Sequence, residues 1–143
     1  MIALLKLDIS TGVVKGSSME ATLFDGSKNL YISKEIKALK RGDIISFYAY
    51  GDGELINFVK RVIGFPGETI LIKEDKVYIN NKLLKDPYAL YTCHVDDYIE
   101  IELKEAEYFV LGDNRCYSMD SRHFGAIPKE NIIGVLIKSR ISK

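Results

Sequence analysis

The chain alternates short apolar runs with turn residues along most of its length. β-branched and aromatic side chains dominate positions 43–50 and 55–63, as is typical of strands. Gly51-Asp52-Gly53 separates the two runs, and these residues readily adopt the positive φ angles of a tight turn. The pattern predicts an antiparallel hairpin.

The same pattern continues towards the C-terminus. A second hairpin is predicted over 69–80, and strict alternation over 98–103 predicts a half-exposed strand. Further strands are predicted at 107–111 and at 132–141, with a bulge at Gly134 in the last one.

Helical signals are sparse. One short helix is predicted over 34–39, with Ser33 as its N-cap and Gly42 beyond its end. Many short strands with so little helix predict an all-β fold of mostly antiparallel, barrel-like sheets with one or two short helices. The length favours a single catalytic domain over 1–143, and we expect the charged, tyrosine-rich stretch 69–105 to be an inserted hairpin region.

Composition and charge narrow the function classes. With 47% hydrophobic and 28% charged residues, the chain can bury a packed core. Its 20 basic residues balance 20 acidic ones, which argues against a nucleic-acid partner. The apolar opening is interrupted at Lys6 and Asp8, well short of the roughly 20 residues that a membrane span needs.

The cysteines and histidines do not predict a metal site. Cys93 and Cys116 allow at most one disulfide and cannot supply a four-thiolate zinc site. His94 and His123 have no ligand spacing with them, so we expect neither a metal nor a cofactor. The pattern leaves open whether the two cysteines pair.

Lys60 is the first candidate for chemistry. On a strand over 55–63 it shares a face with Ile56, Phe58 and Val62. At an unshifted pKa, keeping a lysine neutral at pH 7 costs about 4.6 kcal/mol, and burial lowers that cost by lowering the pKa. In the alternative interpretation the strand is an edge, and Lys60 extends its amine into solvent.

Two further segments could contribute polar groups. Gly16-Ser17-Ser18-Met19 is a small-residue turn that can present a hydroxyl, and 112–122 is a dense polar stretch directly after a predicted strand. Taken separately, each is compatible with an ordinary turn.

Together, four segments resemble the type I signal peptidases along nearly the whole chain. They are Gly16-Ser17-Ser18-Met19 through Leu23, Arg41-Gly42-Asp43-Ile44, Lys60 through Gly67, and Gly112 through Arg122. The last is the most specific and Arg41-Gly42-Asp43 the least.

The resemblance implies a serine endopeptidase that uses a Ser/Lys dyad. Ser18 would be the nucleophile and Lys60 its general base, with hydrolysis through an acyl-enzyme. The backbone N–H of Ser18 would bind the oxyanion.

The resemblance also implies residues that support the dyad. Ser118 would hydrogen-bond Lys60 and aim it at Ser18. Two ion pairs would brace the same corner, namely Asp120 with Arg122 and Asp113 with Arg61.

The chain departs from the family pattern at two positions. Gly16 stands where some members carry a second oxyanion donor, and Ala21 stands where proline is usual. The second departure would loosen the turn after the nucleophile.

The implied substrates are exported preproteins with small residues, typically alanine, at the first and third positions before the cut. The substrate would add as an extended strand between the segments that lead to Ser18 and Lys60. Six residues are predicted to line its site: Val13, Val14, Met19, Ile56, Phe58 and Val59.

The resemblance implies a location at the extracytoplasmic face of a bacterial cytoplasmic membrane, in contact with the membrane surface. Family members carry one or more membrane helices just upstream of the serine segment. Because 17 residues precede Ser18, we expect the anchor to be absent from this chain.

Two alternatives remain open. One is a catalytically silent signal-peptidase-like assembly chaperone, for example in pilus building, against which the retention of Ser18, Lys60 and Ser118 argues. The other is the self-cleaving peptidase domain of SOS-type repressors, which needs a cleavable bond upstream of the serine. The first 17 residues contain no Ala-Gly or Cys-Gly bond.

Overall fold

The computed structural model describes residues 8–35, 37–90, 93 and 98–141. Within them the strands form a seven-stranded sheet, in the order β1-β2-β11-β3-β4-β9-β10, and a four-stranded sheet, β7-β6-β5-β8. All neighbouring strands are antiparallel, which confirms the predicted all-β class. The strands are β1 (Ile9–Val13), β2 (Lys28–Ser33), β3 (Ile44–Gly51), β4 (Glu54–Gly64), β5 (Thr69–Lys73), β6 (Lys76–Ile79), β7 (Lys82–Leu83), β8 (Ile99–Glu102), β9 (Glu107–Leu111), β10 (Ile127–Pro128) and β11 (Ile132–Arg140).

The hairpin of β3 and β4 forms the centre of the large sheet. Gly51 pairs with Glu54 across the turn residues Asp52 and Gly53, whose φ angles are 50° and 81°. Two successive positive φ angles match the twist of the flanking strands, which confirms the predicted hairpin. Its register places Lys60 opposite the fully buried Ile45.

The small sheet is built from the second predicted hairpin. β5 and β6 turn over Glu74 and Asp75, both with positive φ, and β8 pairs with the other edge of β5. Its apolar face packs against Ile63 of β4 and Phe109 of β9. On β8 the apolar residues are half-buried while Glu100 is exposed, as the alternation predicted.

β11 has an irregularity at Gly134, where the sequence predicted a bulge. Opposite β3, the register of β11 shifts between Ile132 and Gly134. A Cβ at Gly134 would lie 3.0 Å from the Ile32 carbonyl oxygen, so the close approach of β2 favours glycine there.

The helix prediction over 34–39 was wrong for the part of that stretch that the structure describes. These residues form a turn in which the Lys37 N–H donates to the Ser33 carbonyl oxygen at 3.2 Å. One such bond closes a single turn, and helix formation gains free energy only when further turns follow. The helix is instead α1 (Ser121–Phe124), capped by Asp120, and single 3-10 turns occur at Arg115–Tyr117 and Lys129–Asn131.

Candidate active site

Ser18 lies at the tip of the turn that follows β1. The backbone hydrogen bonds between β1 and β2 continue one residue further to Val14, whose N–H donates to the Ser27 carbonyl oxygen at 2.9 Å. The Met19 carbonyl oxygen then accepts from the Leu23 N–H at 2.8 Å, and the Met19 side chain is buried. Because the residues on both sides are anchored, the half-buried Ser18 is presented on a fixed turn.

Lys60 of β4 reaches Ser18 directly. Its Nζ lies 2.7 Å from Ser18 Oγ and also donates to the Val59 carbonyl oxygen at 3.1 Å. The residue is 4% exposed, and its Nζ lies 5.4 Å from the centre of the Phe58 ring. The amine therefore sits among apolar groups in hydrogen-bond contact with one hydroxyl.

Burial lowers the pKa of Lys60 from 10.5 to about 8, although the negative charges of Asp120 and Asp113 act to raise it. Removing an ammonium group from water disfavours its charged form. At pH 7 a pKa of about 8 leaves about a tenth of the molecules with a neutral amine. An amine that is partly neutral near pH 7 can act as a general base.

Asn114 holds the backbone of the serine turn from the opposite side. Its backbone N–H donates to the Ser18 carbonyl oxygen at 3.0 Å, and its side-chain amide donates to the Ser17 carbonyl oxygen at 3.1 Å. Sequence reasoning missed this residue, although it lies in the most specific of the four segments. An Asn inside the most specific of the four segments is the signal that could have identified it.

Two backbone N–H groups in the serine turn differ in whether they already donate a hydrogen bond. Among the described residues, the Ser18 N–H has no hydrogen-bond partner, so it is free to bind a substrate oxygen. The Gly16 N–H is occupied, because it donates to Asp25 Oδ1 at 2.8 Å.

Asp120 organises the loop that follows β9. Its carboxylate accepts from Ser118 Oγ at 2.7 Å, from the Gly112 N–H at 3.0 Å and from Arg122 Nε at 2.9 Å. Burial acts to raise the pKa of Asp120, but the bonds and charge of Arg122 outweigh it and keep the pKa below its usual value. The carboxylate is therefore charged at neutral pH.

The hydrogen-bond partner of Ser118 differs from the implied one. The resemblance implied a hydrogen bond from Ser118 to Lys60, whereas the Ser118 hydroxyl donates to Asp120. Lys60 in turn bonds Ser18 and the Val59 carbonyl. A charged carboxylate is a strong acceptor, which accounts for the orientation of the Ser118 hydroxyl towards Asp120.

Arg61 and Asp113 form the second implied ion pair. Arg61 Nε and Nη2 donate to the two Asp113 oxygens at 2.8 and 2.6 Å, and both residues are buried. Arg61 also donates to the Gly42 carbonyl oxygen at 2.7 Å, and Thr22 Oγ1 donates to Asp113 at 2.5 Å. These contacts connect the serine turn and the Arg41-Gly42-Asp43 segment to β4.

A groove of about 810 Å³ opens beside the dyad. On one side it is lined by β1, the first strand in the order of the large sheet. On the other side it is lined by the part of β4 before Arg61, the residue at which β4 begins to pair with β9. All six predicted substrate-site residues line it, as do four aromatic and sulfur-containing residues that the sequence did not identify. These four are Tyr31, Tyr48, Tyr117 and Met119.

The cysteines and histidines were the remaining candidates for chemistry. Cys93 and Cys116 form a disulfide, which decides the question that the sequence left open. His123 accepts from the Asp120 backbone N–H at 3.3 Å in the cap of α1, and His94 lies outside the described residues. In the part of the chain that the structure describes, no cluster of three potential metal ligands occurs, and no helix has the length and hydropathy of a membrane span.

Comparison with known proteins agrees with this geometry. The family model described as "Signal peptidase, peptidase S26" matches residues 1–139. Signal peptidase I T of Bacillus subtilis (strain 168) is 40% identical over 135 residues, which cover 85% of this chain and 68% of that protein. Signal peptidase I V of the same organism is 38% identical over 138 residues, covering 86% of this chain and 80% of that protein.

A solved structure gives the same result. A crystal structure of a signal peptidase I from Enterococcus faecalis V583 matches with a TM-score of 0.60 and 33% identity, covering 71% of this chain and 98% of that chain. These matches extend well beyond the motif segments, and they confirm the resemblance. The chain belongs to the signal peptidase family, peptidase S26, whose members are serine endopeptidases that remove signal peptides.

Proposed function

We propose that this chain removes signal peptides from exported preproteins with a Ser18–Lys60 dyad, through an acyl-enzyme. The observation that carries the proposal is the 2.7 Å distance between Lys60 Nζ and Ser18 Oγ at a buried amine. Family membership supports the overall reaction, and the lowered pKa of Lys60 supports its role as the base.

The first half-reaction forms the acyl-enzyme. Neutral Lys60 takes the proton of Ser18 Oγ as this oxygen attacks the carbonyl carbon of the residue before the cut. The Ser18 N–H donates to the developing oxyanion. The Lys60 ammonium then protonates the leaving amine, the peptide C–N bond breaks, and the substrate carbonyl remains as an ester of Ser18.

The second half-reaction releases the product. Neutral Lys60 takes a proton from a water molecule as the water attacks the ester, and returns it to Ser18 Oγ as the ester bond breaks. Asp113 and Asp120 favour the ammonium that forms transiently in each half-reaction, since their negative charges raise the pKa of Lys60. They act at a distance and transfer no proton.

The groove favours a substrate bound as an extended strand between β1 and β4. In this conformation the first and third side chains before the cut point to the same side. Val14, Met19 and Val59 line the groove together with Ser18, so the side chains before the cut would meet an apolar surface there. The proposal includes a preference for small residues, such as alanine, at both positions, as the family resemblance implies.

The same proposal includes the place of action and the domain organisation. Disulfides persist in oxidising compartments, so the Cys93–Cys116 bond supports a location at the extracytoplasmic face of the bacterial cytoplasmic membrane, next to the membrane surface. The small sheet shares a core with β4 and β9, which supports one catalytic domain over 1–143 with 69–105 as an inserted hairpin region.

The test uses a preprotein peptide with one Ala-x-Ala site. We expect cleavage after the second alanine, and a loss of kcat of about a thousandfold or more in Ser18→Ala and in Lys60→Ala. Lys60→Arg keeps the positive charge but supplies no neutral base, so it should be equally inactive.

A matched control is Ser17→Ala, which removes a neighbouring hydroxyl and should retain activity within a few-fold. Cleavage that survives Ser18→Ala or Lys60→Ala would contradict the dyad. Peptide binding without cleavage by the unaltered chain would instead indicate the chaperone alternative.

A further inference from the structure

A short segment contacts the loop that follows β9. We call it the strap and define it as residues 85–90 together with Cys93. The Leu90 N–H donates to the Asp113 carbonyl oxygen at 3.2 Å, and Asp86 pairs with Arg115. The disulfide adds a covalent bond from Cys93 to Cys116.

The loop under the strap holds the nucleophile. Cys116 lies two residues after Asn114, the residue that fixes the carbonyl oxygens of Ser17 and Ser18. Arg115 Nε donates to the Gly112 carbonyl oxygen at 2.8 Å. A change in the path of this loop would therefore shift the backbone of Ser18 relative to Lys60.

The strap also covers the buried ion pair. The Tyr88 ring lies over the Arg61 guanidinium, with 3.5 Å from Arg61 Cζ to the ring centre. This contact shields the Arg61–Asp113 pair from solvent, and a cation over an aromatic face is attracted by the ring. The strap thus contacts both elements that place the dyad.

The disulfide is accessible to small reagents. Cys116 is exposed and Cys93 is half-buried. Among the described residues, the noncovalent contacts that remain after reduction are the Leu90–Asp113 backbone bond, the Asp86–Arg115 ion pair and the Tyr88 ring over Arg61. The disulfide adds a covalent connection between the strap and the loop, and it can be removed by reduction without changing any other residue.

We propose that the Cys93–Cys116 disulfide is a positioning element for the Ser18–Lys60 reaction, so that cleavage depends on its oxidation. The inference rests on the proposed function. A dithiol reductant transfers two electrons and two protons to the bond, which yields two cysteine thiols and the cyclic disulfide of the reagent. The strap then detaches in part of the population, and the loop no longer holds Ser18 in one place.

The experiment measures kcat and KM for the Ala-x-Ala peptide before and after reduction by a dithiol, with thiol titration to confirm the redox state. We expect kcat to fall about tenfold on reduction, with KM changed less than about twofold, because misplaced catalytic groups slow the chemical step. Reoxidation should restore kcat. The Cys93→Ser/Cys116→Ser double variant should show the low kcat with or without the dithiol.

A second variant tests the noncovalent half of the strap. Asp86→Asn should leave kcat of the oxidised enzyme within about twofold, and should deepen the loss on reduction, because the ion pair with Arg115 is then also missing. If kcat of the fully reduced enzyme and of the double variant stays within twofold of the oxidised value, the proposal is overturned.

Thermal unfolding separates positioning from stability. If the reduced enzyme loses kcat only in proportion to its unfolded fraction at the assay temperature, the disulfide is a stabilising bond, and the positioning role is refuted. Ser18→Ala serves as the baseline in both redox states. Activity that persists in Ser18→Ala contradicts the proposed function, whereas an inactive Ser18→Ala with redox-insensitive parent enzyme contradicts only this inference.

Discussion

At the residue scale, two effects shift the pKa of Lys60 in opposite directions. Burial among the side chains of β4 and its neighbours disfavours the ammonium, while Asp113 and Asp120 favour it. Both carboxylates are themselves engaged by arginines, so their effect on Lys60 is reduced. The result is a pKa near 8, which provides a base without histidine.

The Arg61–Asp113 pair gives a residue-scale prediction about stability. Asp113→Ala leaves a buried guanidinium without its counter-charge, which should lower the free energy of unfolding by about 3–5 kcal/mol. Denaturant titration measures this change. In a matched control, Lys37→Ala removes the 4.0 Å surface pair with Asp43 and should cost less than about 1 kcal/mol.

A loss of less than about 1 kcal/mol in Asp113→Ala would contradict this account of the pair. It would mean that the Gly42 carbonyl and the Tyr88 ring compensate the charge of Arg61 without the carboxylate.

At the scale of elements, the junction between β9 and its following loop determines the shape of the site. Gly112 lies where three chain segments approach each other. A Cβ added there would lie 2.1 Å from Ser118 Oγ and 2.7 Å from the Ser18 carbonyl oxygen. No side chain fits without moving the serine turn.

We therefore expect Gly112→Ala to lower kcat by about a hundredfold, because displacement of Ser18 by a fraction of an ångström disrupts its alignment with Lys60. Steady-state kinetics measures the loss. Gly12→Ala is a structural control, since the nearest described atom to its Cβ would be in the Tyr31 ring at an ordinary 3.5 Å, and its melting temperature should be unchanged. Full activity in Gly112→Ala would contradict the proposed close packing.

The sequence predicted those strands that are bounded by clear turn residues or that alternate apolar and polar residues. Asp52-Gly53 fixed the β3–β4 hairpin, and the alternation over 98–103 identified β8. The stretch 34–39 was predicted as a helix because Ser33 is a good cap, but in its described residues a single hydrogen-bonded turn follows. The four residues of α1 are too few to show a helical period.

At the scale of the whole molecule, the site is assembled from distant parts of the chain. Ser18 and Lys60 are 42 residues apart, and Ser17 and Asn114 are 97 apart. Residue alternation predicted the apolar neighbours of Lys60, but the tertiary packing of the serine turn against β4 brings Ser18 to it. The resemblance to a family supplied this pairing, and the local pattern could not.

The groove and the disulfide also belong to this scale. Residues of β1 and β4 line one groove although three strands separate them in the large sheet, and Tyr48 and Tyr117 line it from other elements. The pairing of Cys93 with Cys116 depends on the path of the strap, which no spacing rule gives.

The central claim is that Lys60 acts as a neutral base on Ser18, and the pH dependence of kcat/KM tests it most directly. A peptide without titrating groups would be cleaved by the unaltered enzyme from pH 6 to 10.5. Only the deprotonated amine is active, so kcat/KM should fall about tenfold per pH unit below the pKa and be constant above it. We expect an apparent pKa of about 8. A value near 10.5, or a rate independent of pH over this range, would contradict the account.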